Sequence, residues 1–390
     1  MSAMAVDRSR FLAALETVLG TAERPVPLHE PSFSDADLRH LTACLDSTYV
    51  STVGPYVERF EAMLAEITGA AHVVATVNGT AALELAYRVA GVGPGDEVLM
   101  PPLSFVATAN AAAHIGAVPH FVDIDPADCG LAAAALAARL ERIAERRADG
   151  LYNRETGRRL AAVALVHVFG WPADADALRA VADAGDLPLV EDAAEALGSH
   201  RAGRHAGCTG RLGILSFNGN KIVTTGGGGA VLTDDAALAA EVRTLATTAK
   251  RPHPFRHHHD RVAFNYRLPN LNAALGVAQL EALGNLLARK AALAARYEAA
   301  FAAVPGIRFR PPPAGARANH WLNVLELDVT TLEERDALIA AAHEAGFLLR
   351  PVWDLLHRLP MYAQSPRGTL AHAERAEIRL VTVPSSAHLA

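Results

Sequence analysis

The chain has 390 residues, 51% of them hydrophobic, and carries 36 Lys and Arg against 42 Asp and Glu for a net charge of −6. That length supplies ample core for one large and one small domain. The acidic balance argues against general nucleic-acid binding, which favours basic domains, and no apolar run approaches the roughly 20 residues needed to span a bilayer.

An anionic small molecule stays open as a ligand, because a local cluster can be basic in an acidic protein. No signal-peptide pattern opens the sequence, so a cytosolic location is expected. Cys44, Cys129 and Cys208 lie far apart and lack zinc-type spacing, and they read as ordinary thiols.

In chain order, Phe11 to Leu19 carries an apolar stripe at helical spacing, which predicts a short helix packed on the body. From about residue 55, apolar runs alternate with helical patterns. Strands are expected at His72–Val77, Glu97–Met100, Pro119–Asp123, Ala161–Val168, Leu187–Glu191, Ile214–Phe217 and Ala230–Thr233. Helices are expected at Thr80–Ala90, Val106–Ile115 and Ala175–Ala184. This alternation implies an α/β fold with a mostly parallel sheet between helices. The charged stretch Arg146–Arg159 reads as an exposed insertion. A long alanine- and leucine-rich helical pattern from Asn272 to about Val304 leads into a smaller α+β unit. The expected division is an arm over 1–30, a large domain over 31–271 and a small domain over 272–390.

Two segments carry chemistry. Leu215-Ser-Phe-Asn-Gly-Asn-Lys-Ile-Val-Thr-Thr-Gly-Gly-Gly-Gly-Ala230 leads from an apolar run into a polar turn that presents one amine, Lys221. Leu187-Pro-Leu-Val-Glu-Asp-Ala-Ala-Glu-Ala-Leu-Gly198 places a carboxylate, Asp192, just past a strand. Singly, the lysine reads as a solvated residue and the aspartate as a helix N-cap. Together they supply a Schiff-base amine and an acid for a pyridinium nitrogen, the minimal equipment for pyridoxal phosphate chemistry. Asn78-Gly-Thr80 follows the first strand and opens a helix, whose N-terminus favours a phosphate; Thr80 reads equally as the N-cap.

In this order the segments resemble the DegT-like sugar-nucleotide aminotransferases, of the fold-type-I pyridoxal phosphate class, from about Val26 to Ser386. The resemblance implies pyridoxal phosphate held as a Schiff base on Lys221 and a ring nitrogen paired with Asp192. It implies Gly79, Thr80 and Ser216 at the phosphate, Phe105 stacked on the ring and Glu195 close to the cofactor. Asn265 matches a residue that reaches the phosphate from a partner subunit, so a homodimer with interface active sites is expected. The segments Val26–Phe33, Thr248–Pro254 and Leu356–Tyr362 look like the bacillosamine and legionaminic acid group. That group implies an amino donor, L-glutamate, and an acceptor aminated at C4, a nucleotide-linked 2-acetamido-4-keto-6-deoxyhexose. Gly226–Gly229 and Glu195 depart from the wider family's Gly-Glu-Gly-Gly and His or Gln.

Lys250, Arg251, Arg256, Arg261 and Arg267 crowd one loop beside Asn265. Each alone reads as solvated; as a cluster they suit a diphosphate. His167, His320 and His357 are candidates for the sugar pocket, with a structural histidine the competing reading of His167. His253 and His257–His259 resemble a metal cluster, but adjacent histidines in one loop rarely converge on an ion, and no metal is expected. The sugar dehydratases among the relatives carry histidine in place of the lysine, so Lys221 favours transamination. The alternatives are a lyase or dehydratase, amination at C3, and a non-catalytic cofactor-binding regulator.

Overall fold

The computed structural model describes residues 6–390. Its central sheet runs in the order His72–Thr76, Gly229–Thr233, Leu212–Ser216, Leu189–Asp192, Arg159–Val166, Glu97–Met100 and Val118–Phe121. Gly229–Thr233 runs antiparallel to both neighbours, and the other six strands are parallel to one another. All six therefore end at one edge, where open α/β sheets bind ligands.

Side chains of a strand alternate between faces, and here both faces are covered. Val74, Ile214 and Val231 join a core with the helices Gly79–Val89 and Ala236–Ala246. Their neighbours Val73, Ala75, Leu215, Ala230 and Leu232 join a second core, with the helices Pro55–Thr68 and Asn270–Glu281. Across the other half of the sheet, Val98, Ala162, Ala164 and Val190 face the first core. Leu99, Val163, Leu165 and Leu189 face a third, beside the helices Ala133–Ile143 and Ala175–Ala184. Burial on both faces explains why these strands read as continuous apolar runs.

The expected long helix from Asn272 is two helices, Asn270–Glu281 and Leu283–Phe301. Beyond them lies a four-stranded antiparallel sheet in the order Ile307–Arg310, Asn323–Leu327, Leu380–Val383 and Arg350–Pro351. The N-terminal helix Arg8–Leu19 packs here, burying Phe11, Leu15 and Val18 against Tyr297, Phe301 and Leu325. Its apolar stripe is covered, as its spacing requires.

The stretch Arg146–Arg159 is more than an exposed insertion. Ala144–Arg147 and Gly150–Asn153 form a hairpin that joins the main sheet through Leu151 opposite Leu160. Asn153 is buried and donates to Glu97 at 2.9 Å, Thr156 donates to the same carboxylate at 2.5 Å, and His120 completes its shell at 2.7 Å. The hairpin thus closes over a buried acid, which needs such partners.

Close packing of the loop 205–210 on the strand Leu212–Ser216 permits no side chain at Gly213. An ideal Cβ there falls 1.9 Å from the Gly207 carbonyl oxygen. Gly213→Ala is expected to destabilise the fold by roughly 2–3 kcal/mol through this backbone clash. A urea midpoint equal to that of the wild type would contradict the packing.

Candidate active site

At the C-terminal edge of the parallel strands lies a cavity of ≈ 420 Å³. Asp192 is the last residue of its strand rather than the first residue beyond it. It is buried, and its carboxylate accepts from the Thr108 hydroxyl at 2.7 Å and the Ala194 amide at 3.1 Å. Burial raises its pKa, opposed by those two bonds and by Lys221. Thr108 is itself held by Ser104 at 2.9 Å.

Lys221 enters the same cavity from the turn after Leu212–Ser216. Its Nζ lies 3.6 Å from Glu195 Oε1 and 4.0 Å from the centre of the Trp321 ring. Glu195 is buried and accepts from the Phe169 amide at 2.8 Å. Burial pushes its pKa up to about 7, with Lys221 and the Phe169 amide pulling the other way.

The helix Gly79–Val89 points its N-terminus at the cavity wall. Asn78, not Thr80, is the N-cap; its side chain accepts from the Ala81 amide at 2.8 Å. Thr80 is therefore free of the capping role, and Thr80 and Ser216 both line the cavity. A Cβ on Gly79 would sit 2.9 Å from Ser216 Cβ, so glycine is what lets the two segments meet. Free amides, a favourable dipole and two hydroxyls make a cradle for a phosphate. Phe105 is 55% exposed and offers a flat ring at the same cavity. An amine, a ring-sized space, an acid and an anion cradle in one cavity fit pyridoxal phosphate.

Three histidines proposed for the sugar pocket are not brought to this cavity. His167 is buried and bonds on both sides: Nε2 to Glu191 at 2.8 Å, and Nδ1 to the Ala173 amide at 3.1 Å. It holds the sheet together and has no ring nitrogen left for substrate. His357 is buried against Phe121 with Glu374 4.0 Å away. His320 precedes Trp321 but does not line the cavity; burial, then Lys290, lowers its pKa to about 4.

Asn265, Lys250, Arg251 and Arg267 are brought together, around a different cavity of ≈ 860 Å³. The Nε of Arg267 is buried there without a partner. Arg251 pairs with Asp260 at 2.6 Å, and Arg261 is held outside that cavity by Glu241 at 2.6 Å. Arg256 lies over Phe255. Lys250–Arg251 and His258–His259 form a short hairpin, and the Nδ1 atoms of His253 and His259 are engaged by neighbouring backbone groups.

Sequence reasoning missed Thr108, Trp321 and Trp353. Trp321 and Trp353 wall the cavity and stack on each other, 6.5 Å apart and tilted by 12°. The signal available was that these are two of only three tryptophans in the chain.

The family model described as DegT/DnrJ/EryC1/StrS aminotransferase family matches residues 31–390. GDP-perosamine synthase of Caulobacter vibrioides is 35% identical over 361 residues, 92% of each chain. The aminotransferase TlmJ from Streptoalloteichus hindustanus superposes with a TM-score of 0.83 at 31% identity, covering 92% of this chain and 93% of that one. DesI, solved with its TDP-sugar product, superposes with a TM-score of 0.82 at 32% identity, over 96% of this chain and 91% of its own. The chain belongs to the DegT/DnrJ/EryC1/StrS family and is a pyridoxal-phosphate-dependent aminotransferase. Among the described residues no helix is long and apolar enough to cross a membrane.

Glu195 gives the cofactor-free protein a pH signature. Its folded pKa of about 7 stands above the ordinary 4.5. Across that window the folded chain keeps a proton that the unfolded chain has released, so stability falls as pH rises. Glu195→Gln removes this dependence. The wild type should lose about 2–3 kcal/mol relative to E195Q between about pH 5 and 8, read from urea midpoints. A pH-independent difference would contradict the buried, titrating acid.

Proposed function

We propose that this aminotransferase moves an amino group from L-glutamate to C4 of a nucleotide-linked 4-keto-6-deoxyhexose, with the 2-acetamido sugar as its acceptor. The observation that carries the reading is the meeting of Lys221, Asp192 and the Gly79–Thr80 helix N-terminus in one cavity. A nucleotide-linked acceptor is supported by relatives whose names specify a GDP-linked and a TDP-linked sugar. The C4 position, the acetamido group and the glutamate donor rest on the motifs Val26–Phe33, Thr248–Pro254 and Leu356–Tyr362.

When bound, the cofactor supplies an electrophilic aldehyde and a ring that draws electrons from the substrate carbon. Lys221 provides the amine that holds it and the base that moves a proton beside it. Asp192, fixed by Thr108 and Ala194, would pair with the ring nitrogen and keep its proton in place. Gly79, Thr80 and Ser216 would hold the phosphate. Phe105 would lie against one face of the ring. Glu195 lies beside Lys221 and, when protonated, can donate to the ring hydroxyl.

We further propose a homodimer in which Asn265, Lys250, Arg251 and Arg267 serve the partner's cavity, binding phosphate and the acceptor's diphosphate. Large apolar side chains are exposed along one run: Leu38 at 65%, Leu45 at 57%, Tyr49 at 57% and Val53 at 62%. Val53 lines the same cavity as Asn265, so a surface suited to a second copy is continuous with the basic loop.

Mass spectrometry of products tests the reaction. Holoenzyme with L-glutamate is offered UDP-, GDP- and dTDP-linked 4-keto-6-deoxy sugars, with and without the acetamido group. An amino product is expected from an acetamido acceptor, none with Lys221→Ala, and a rate about 10²–10³ lower with Asp192→Asn at unchanged fold. A fully active D192N enzyme would remove that residue from the site, and product solely from sugars lacking the acetamido group would move the acceptor.

Mixing tests the shared site. Lys221→Ala and Asn265→Ala should each be inactive alone. After mixed refolding, hybrids carry one intact site, and about a quarter of wild-type activity should return. No recovery in verified hybrids would place Asn265 in its own subunit's site.

A further inference from the structure

Lys290 lies in the middle of the helix Leu283–Phe301 and is 1% exposed. Among the described residues no carboxylate pairs with it. Its Nζ donates to the Trp321 carbonyl at 3.2 Å and to the Ser385 carbonyl, and lies 2.9 Å from His29 Nε2. A buried amine without an acid is costly, and an apolar side chain of similar volume would fill the space without that cost. What Lys290 does that an apolar residue could not is tie three distant segments together: the arm at His29, the loop at Trp321 and the C-terminal segment at Ser385.

Trp321 is the one of the three that reaches the cofactor cavity. Its ring lies over Lys221, its Nε1 donates to the Asn220 carbonyl at 2.7 Å, and its amide donates to Asn319 Oδ1 at 2.8 Å. Trp321 stacks on Trp353, and Trp353 on Phe169 at 5.6 Å. The Phe169 amide holds Glu195. The indole is thus pinned by its side chain, its amide and, through Lys290, its carbonyl.

We propose that Lys290 is a positioning residue for the active site: by holding the Trp321 carbonyl it sets the indole face on the Lys221 amine. The inference rests on Lys221 being the residue that carries the cofactor. An aromatic face favours a cation over it. Displacing the indole therefore disfavours the protonated form at Lys221, and the pH midpoint of the cofactor's visible absorbance band should fall.

The test is a spectrophotometric pH titration of wild-type holoenzyme, Lys290→Met, Trp321→Phe and the double variant, each with its thermal unfolding. Lys290→Met and Trp321→Phe should each lower the midpoint by about half to one pH unit. The double variant should move no further than the larger single change, because both act through one contact. Lys290→Arg, which keeps donors at the position, should move the midpoint less than Lys290→Met and covers the case in which the methionine variant does not fold. A midpoint unchanged by Lys290 variants that only lower the melting temperature would reduce the residue to a structural one and overturn the proposal. So would additive shifts in the double variant. A wild-type spectrum with no band lost in Lys221→Ala would instead overturn the cofactor assignment, and this inference with it.

Discussion

Two consecutive carboxylates, both buried, close the strand Leu189–Asp192, and the way they are satisfied governs the site. Alternation along a strand sends Glu191 and Asp192 to opposite faces. Glu191 is fully buried, and an unpartnered carboxylate there would cost several kcal/mol. It receives four donors: His167 at 2.8 Å, the Gly207 amide at 3.0 Å, the Thr209 amide at 2.6 Å and the Gly210 amide. Burial alone would raise its pKa; His167 and the amides hold it low. These bonds lock the neighbouring strand and the loop 205–210 to the far face. Asp192 is then fixed in register, its side chain bonded to Thr108 and Ala194 with the cavity before it.

The same constraint explains His167. Its place at a strand end suits a ligand-contacting residue, and from the sequence a substrate role and a structural one were both open. The need of Glu191, one residue before Asp192 on the adjacent strand, decides between them. With Ala173 donating to Nδ1, the proton must sit on Nε2, facing the carboxylate. The histidine is an anchor for the acid behind the site.

What the sequence made legible is local: a strand, its turn, and the side chain at its end. Lys221, Asp192, Gly79, Thr80, Ser216 and Phe105 all close strands, follow them or open helices, and the sheet brings them together because parallel strands end at one edge. Trp321 and Trp353 come from the C-terminal unit, where no periodicity links them to a strand end of the large sheet. Thr108 was invisible because it sits inside a helix and acts through another residue. The hairpin over Glu97 was missed because its buried residues, Leu151 and Asn153, present one apolar side chain between them. His357 lies away from the cavity for a related reason: its position depends on how residues 356–362 fold back over Phe121.

Within the cavity the two acids are not equivalent, and their surroundings divide their roles. Asp192 accepts two strong bonds, one from a hydroxyl and one from an amide, and its partners favour the anion. Glu195 accepts one backbone bond, and its other polar neighbour is the Lys221 amine, 3.6 Å away. Burial leaves this acid with a pKa of about 7 beside the amine. The aromatic stack Phe169–Trp353–Trp321 spans the pair from behind, its first member holding Glu195 and its last covering Lys221. The acid is held through a backbone amide at one end of the stack, and the amine lies over the ring at its other end.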